Sequence, residues 1–196
     1  TSALSSFYDK IPVAHLEAGL RTGNRYSPFP EEANRILTGH LSSLHFAPTK
    51  RAVASLEREN IKSDVYNVGN TVIDALNLGL SITERVGESR FTKFFSFVDL
   101  RKKILLVTGH RRENIGQPIH NICDALKITA MRYPDVEIIY PVHPNPGVRK
   151  PVFDTLHGIR NIHLIEPLNY PQMIWIMNRS YFVITDSGCI QEEAQS

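Results

Sequence analysis

Short apolar runs that alternate with helix-spaced stretches constrain this chain more than any other feature. The runs fall at residues 11–16, 44–47, 65–68, 103–108, 136–142, 161–165 and 181–185. Between them lie helical patterns at 31–41, 50–59, 71–86, 118–132, 148–156 and 171–177, and a further helix opens the chain. Strands kept one helix apart cannot close as tight hairpins. Each must return through a crossover and lie parallel to its neighbours, in a sheet covered by helices on both faces. The expected fold class is therefore α/β, built from Rossmann-type, doubly wound parallel sheets.

Between residues 87 and 103 this rhythm fails, giving way to a short aromatic-rich helix at 91–97 and then a basic stretch. A domain boundary is expected there, dividing the chain into 1–87 and 88–196. The second series reads as a nearly complete doubly wound sheet. Its strand C-termini carry Gly109-His110-Arg111-Arg112-Glu113-Asn114, Pro141-Val142-His143-Pro144-Asn145-Pro146 and Asp186-Ser187-Gly188. Ligands of such sheets bind at that edge, and two sheets facing each other with such ends suggest a cleft.

The junction at 181–193 speaks most directly to a ligand, because an apolar strand there turns sharply into a helix. Unpaired N–H groups and the positive end of the helix dipole favour an anion at such a turn, and Ser187 and Gly188 allow close approach. Glu192 and Glu193, one turn later, are placed to grip a ribose. Read without a ligand, Asp186 is an N-cap and the two glutamates suit a first helical turn.

Composition removes several function classes. With 22 basic and 20 acidic residues, a net charge of +2 and mostly scattered cations, the chain offers no nucleic-acid surface. No apolar run approaches membrane-spanning length, and the first residues lack the charged-then-apolar order of a signal peptide. Cys123 and Cys189 form neither a metal spacing nor a disulfide framework, which points to a reducing, cytoplasmic compartment. Cys189 invites a nucleophilic role, but no His or Asp stands at a recognisable partner spacing. A small residue filling a tight turn is the simpler reading.

Taken together, the motifs resemble one family. His15-Leu16-Glu17-Ala18-Gly19-Leu20-Arg21-Thr22-Gly23, Ser27-Pro28-Phe29-Pro30-Glu31-Glu32-Ala33-Asn34-Arg35 and Gly69-Asn70-Thr71-Val72-Ile73-Asp74 come first. The clusters at 108–114 and 141–146 follow, and Thr185-Asp186-Ser187-Gly188 with Gln191-Glu192-Glu193-Ala194 closes the series. This set, running essentially end to end, is similar to that of the non-hydrolysing UDP-N-acetylglucosamine 2-epimerases. The resemblance implies a GT-B-like pair of Rossmann-type domains, the first one incomplete, that takes UDP-GlcNAc and UDP-ManNAc as substrates. UDP would be eliminated to leave 2-acetamidoglucal and added back after reprotonation on the other face, supplying ManNAc for surface polysaccharide.

That chemistry needs an acid or base on each face of a weakly acidic carbon. The resemblance assigns Glu17 and Glu31 as the proton-handling carboxylates. Their plain alternatives are an ion pair of Glu17 with Arg21 and a helix N-terminal charge for Glu31. The resemblance also assigns the diphosphate to His110, helped by Arg111, and to Ser187, Gly188 and the Cys189 N–H, where negative charge develops as UDP leaves. Glu193 matches the ribose-binding glutamate, with Glu192 its exposed neighbour. His143 would lie near the sugar and near a regulatory UDP-GlcNAc site, or act as a loop histidine bonded to backbone. Arg21 would lie beside the cleft, or form an ion pair. No metal and no cofactor is implied, and a homodimer is expected of the full-length protein.

Two departures from the family stand out: Cys189 replaces a usual second glycine, and Gln195 a usual proline. A backbone N–H survives the first change, so phosphate binding is expected to persist. The resemblance further places an early phosphate-binding loop and another catalytic Asp upstream of Thr1, and a C-terminal arginine region with closing helices after Ser196. The chain is accordingly expected to be an internal fragment, poorly active alone. Three alternatives use the same fold: a hydrolysing epimerase, a GT-B glycosyltransferase and a UDP-sugar sensor without catalysis.

Overall fold

The computed structural model describes residues 1–62, 64–109 and 114–195. The chain packs as two compact units, Thr1–Thr71 and Val72–Ser196, and both are α/β with wholly parallel sheets.

The first unit runs α1 (Ser2–Tyr8), β1 (Ala14–Leu16), α2 (Glu31–Leu41), β2 (Leu44–Ala47), α3 (Lys50–Arg58) and β3 (Val65–Asn67). Its sheet has three strands in the order β1-β2-β3. The strand expected at 11–16 is shorter at its start: Pro12 has no N–H to offer a ladder, and pairing begins where Ala14 faces Leu44. Thr49 caps α3 by accepting the Ala52 N–H at 3.1 Å. The core is small, with Ala18, Ala47, Ala52 and Leu56 buried against Leu20, Val53, Ile61 and Val65.

The second unit comprises α4 (Thr71–Val86), α5 (Glu88–Phe94), β4 (Lys103–Thr108), α6 (Gln117–Arg132) and β5 (Val136–Pro141). It continues with α7 (Pro146–Leu156), β6 (Ile162–Ile165), α8 (Tyr170–Arg179), β7 (Phe182–Thr185) and α9 (Gly188–Glu193). Its four strands stand in the order β6-β5-β4-β7. The period-two alternation of a strand sorts them onto two faces. Leu105, Val107, Ile138 and Tyr140 enter a core with α6 and α7, whereas Ile104, Leu106 and Ile139 enter another with α4, α5 and α8. In the latter, Trp175 stacks on Phe91 and Phe95 at 5.5 and 5.4 Å. Leu76 of α4 is buried there too, so packing divides the chain ahead of α4, whereas the composition break read from the sequence follows that helix. The aromatic-rich helix begins earlier than expected, directly after Gly87, whose φ of 97° suits glycine. Among the described residues no helix is long and apolar enough to cross a membrane.

One ion cluster lies at the N-terminal ends of the second sheet. Glu137, 6% exposed, accepts Lys102 Nζ at 2.7 Å and meets His163 Nε2 at 2.6 Å. Burial alone would raise its pKa, but the bonds from Lys102 and His163 outweigh that and hold the carboxyl below its ordinary value. A depressed folded pKa contributes stability that is fully present above the unfolded value of 4.5 and is lost as pH falls through the folded one. Glu137→Gln is expected to destabilise the second unit by about 2–3 kcal/mol at pH 7. The gap to wild type should narrow below pH 4.5. Denaturant unfolding followed by the fluorescence of Trp175, the single tryptophan and 3% exposed, measures both effects.

Candidate functional site

In the second unit the chain lays β4, β5 and β6 outward in one direction and then returns to put β7 on the other side of β4. At such a reversal the connections leaving the two strands diverge, and a crevice opens outside their C-terminal ends. Those ends are Thr108 and Thr185, joined by a 2.6 Å bond between their hydroxyls. The Ser187 N–H turns back to Thr185 Oγ1 at 3.0 Å, and Asn114 Nδ2 donates to Asp186 Oδ2 at 2.8 Å. Tyr140 Oη donates to the Gly109 carbonyl at 3.3 Å, and a Cβ on Gly109 would sit 3.2 Å from the Tyr140 hydroxyl. His110 and Arg111, the expected diphosphate partners, lie outside the described residues.

The N-cap of α9 is Ser187, where the sequence reading has Asp186. The Asp186 carboxylate is engaged by Asn114 across the crevice, a contact between residues far apart in the chain. Ser187 makes no capping bond with its hydroxyl, so its side chain leaves the first-turn N–H groups of α9 unoccupied. Gly188 and Cys189 are exposed. Cys189 therefore does not fill a packed turn, in contrast to Cys123, whose buried thiol is pushed up to about 11 by desolvation and by Asp124.

Glu193 points inward from α9, is 7% exposed, and accepts the Tyr170 hydroxyl at 3.1 Å. Burial, and then the bond to Glu193, raises the Tyr170 pKa and keeps that phenol a donor. Glu192 is exposed beside it. His143 is exposed after β5, and its Nδ1 accepts the Asn145 N–H at 3.1 Å, so the neutral ring carries its proton on Nε2.

In the first unit Glu17 follows β1 with a φ of 57°, a conformation a non-glycine residue adopts only where its surroundings enforce it. The enforcement is visible in the next two residues. Ala18 is fully buried and donates to the Phe46 carbonyl at 3.1 Å. Gly19, with φ 84°, lies so close to α3 that a Cβ would come 2.2 Å from the Ala52 oxygen. Arg21 does not pair with Glu17. Its guanidinium grips both Glu59 oxygens at 2.7 and 2.8 Å and donates to the Leu20 carbonyl at 2.9 Å. Those bonds, ahead of the guanidinium charge itself, hold the Glu59 carboxyl below its ordinary pKa despite burial.

Glu31 is the exposed first residue of α2, at the positive end of that helix. Among the described residues neither Glu17 nor Glu31 accepts a hydrogen bond or ion pair. Their neighbour Glu32 differs: it is 1% exposed and accepts the N–H groups of Thr22 and Gly23. Sequence reasoning missed Glu32 and Tyr170. A signal existed for Glu32, which shares the inward stripe of α2 with Ile36 and Gly39 at positions where an apolar residue is expected. Among the described residues no group of three His, Cys, Asp or Glu side chains could hold a metal ion.

The whole chain, residues 1–196, matches the family model described as UDP-N-acetylglucosamine 2-epimerase. It is 48% identical to the UDP-N-acetylglucosamine 2-epimerase of Escherichia coli K12, over all of this chain and 53% of that protein. The crystal structure of UDP-GlcNAc 2-epimerase from Neisseria meningitidis bound to UDP-GlcNAc superposes with a TM-score of 0.94 at 46% identity, covering 97% of this chain and 52% of that one. The Methanocaldococcus jannaschii UDP-GlcNAc 2-epimerase in complex with UDP-GlcNAc and UDP gives a TM-score of 0.79 at 37% identity, covering 97% of this chain and 52% of that one. The chain spans about half the length of the curated relatives it matches.

The contact of Gly19 with α3 makes a clear test of how the Glu17 turn is held. Gly19→Ala adds both a clash and a left-handed penalty, and is expected to destabilise the first unit by at least about 2 kcal/mol. Amide hydrogen exchange across residues 14–21 should accelerate, while the unfolding transition seen by Trp175 in the second unit stays where it was.

Proposed function

This chain belongs to the UDP-N-acetylglucosamine 2-epimerase family, and from that premise we propose that the full-length protein interconverts UDP-GlcNAc and UDP-ManNAc without releasing free sugar. One carboxylate takes the proton from C2 as the C1–O bond breaks, and the electron pair of the C–H bond forms the C1–C2 double bond of 2-acetamidoglucal. UDP leaves with the electrons of the broken bond. A second acid then delivers a proton to the opposite face of C2, UDP adds back at C1, and the configuration at C2 is inverted.

The observation that carries this reading is the state of Glu17 and Glu31. Acidic residues held for stability are satisfied, as Glu32 and Glu59 are. Glu17 instead sits in an enforced left-handed turn, with Arg21 drawn away to Glu59. A carboxylate kept clear of structural bonds is suited to exchange protons. In the second unit, the crevice at Thr108 and Thr185, the uncapped start of α9 and the inward-facing Glu193 suit a diphosphate and a ribose. His110 and Arg111 join that site on the strength of the sequence resemblance.

The same resemblance supports a homodimer, a regulatory UDP-GlcNAc site near His143, and a supply of ManNAc units to surface polysaccharide. Two free thiols, Cys123 and Cys189, suit the cytoplasm. In this reading activity is expected of the full-length protein and little of residues 1–196 alone.

Incubating the full-length protein with UDP-GlcNAc in deuterated water tests the proposal by proton NMR. UDP-ManNAc carrying deuterium at C2 is the expected product. Glu17→Gln and Glu31→Gln should each lower kcat by about 10²–10⁴-fold. Free ManNAc with UDP would replace this reading with a hydrolysing epimerase; an unchanged sugar despite tight UDP binding would replace it with a transferase or a sensor.

A further inference from the structure

A carboxylate on the inward stripe of a helix persists only where donors meet it, since an unpaired buried charge is strongly disfavoured. Glu32 meets that condition in one specific way. Thr22 N lies 3.0 Å from both its oxygens, and Gly23 N lies 2.9 Å from Oε1. Both donors are backbone groups of the loop that runs from Glu17 to Glu31. Glu32 thus ties this loop to the very helix whose first residue is Glu31.

The other end of the loop is fastened to β2, to α3 and to the C-cap of α3 by independent contacts. Ala18 bonds to β2, Gly19 presses on Ala52, and Arg21 holds Glu59 through two bonds. Between Arg21 and the first turn of α2, the Glu32 clamp bonds the helix end directly to the loop that carries Glu17. Thr22 Oγ1 adds a local bond to the Ser27 carbonyl at 2.6 Å, which shapes the loop but does not reach α2.

We propose that Glu32 is a positioning residue of the reaction: its buried carboxylate, through Thr22 and Gly23, holds the Glu17 segment and the Glu31 helix end at the spacing proton transfer requires. This rests on the reading of Glu17 and Glu31 as the proton-handling pair. Glu32 is 1% exposed and both its oxygens are engaged by loop N–H groups. Its influence is geometric, and a misplacement of about 1 Å at a reacting centre lowers rates by about 10²-fold.

The test uses the full-length protein with Glu32→Gln, Glu31→Gln and the double variant. Glutamine keeps the size of the side chain but sets an NH₂ group against the Thr22 N–H. Glu32→Gln is expected to lower kcat by about 10²-fold with little change in KM or in UDP affinity. Amide exchange at Thr22 and Gly23 should accelerate. In the Glu31→Gln background the same change should cost little more, because the residue it positions is already disabled. Glu32→Asp, which keeps the charge and shortens the reach, should give a smaller loss of the same kind and serves if the Gln variant does not fold.

Wild-type kcat in folded Glu32→Gln or Glu32→Asp, beside an inactive Glu31→Gln, would overturn the positioning role alone. A loss that multiplies in full on the Glu31→Gln background would also overturn it, since that marks general destabilisation. Normal turnover by both Glu17→Gln and Glu31→Gln would instead overturn the proton-handling reading, and the positioning role with it.

Discussion

A parallel strand cannot reach its neighbour by a tight turn, and this constraint organises both units. Every strand must return through a helix, so all strand C-termini of a sheet share one edge and every loop that leaves them starts there. In the second unit that edge gathers the loop bearing Gly109 and Asn114, Pro141 and the Thr185–Ser187 turn from three separate stretches of the chain. The strand order β6-β5-β4-β7 then singles out one place on the edge, between β4 and β7, where the chain reverses. The hydroxyl contact between Thr108 and Thr185 marks that place at the atomic level.

The first unit works under a different pressure. Its core is built largely of alanine and one fully buried leucine, too little apolar surface to hold a long polar loop by packing alone. Charge and hydrogen bonding take over. Arg21 with Glu59, and Glu32 with Thr22 and Gly23, fasten the segment between Glu17 and Glu31. The result is a sorting of the acidic residues: Glu32 and Glu59 are satisfied within the fold, whereas among the described residues Glu17 and Glu31 accept no hydrogen bond or ion pair.

Local pattern in the sequence carried most of the architecture. The local pattern locates α2, α4, β2 and β4 to the residue, because in each the apolar spacing, a flanking Pro or Gly and the element's length agree. Where neighbouring rules compete, structure and local pattern differ. Pro12 shortens β1, and Ser187 stands as the cap of α9 while Asp186 is bonded by Asn114. Helix α4 packs with the second unit through Leu76, which no composition break could reveal. The site residues divide in the same way. Glu17, Glu31, Ser187 and Glu193 stand out in motifs, but the partners that define their surroundings lie far along the chain. Arg21 and Glu59 are 38 residues apart, and Tyr170 and Glu193 are 23 apart. Such pairs follow from the fold and have no local signature.

The central claim of the proposed function is chemical: the full-length protein would break and remake the bond between C1 of a UDP-sugar and its diphosphate while C2 is inverted. Positional isotope exchange addresses it directly, with UDP-GlcNAc carrying ¹⁸O in the bridge between C1 and the β-phosphorus and ³¹P NMR as the readout on the full-length protein. The account predicts that the label scrambles into the non-bridging β-phosphoryl oxygens as UDP-ManNAc forms, because free UDP rotates before it adds back. A label that stays in the bridge while C2 inverts would contradict it.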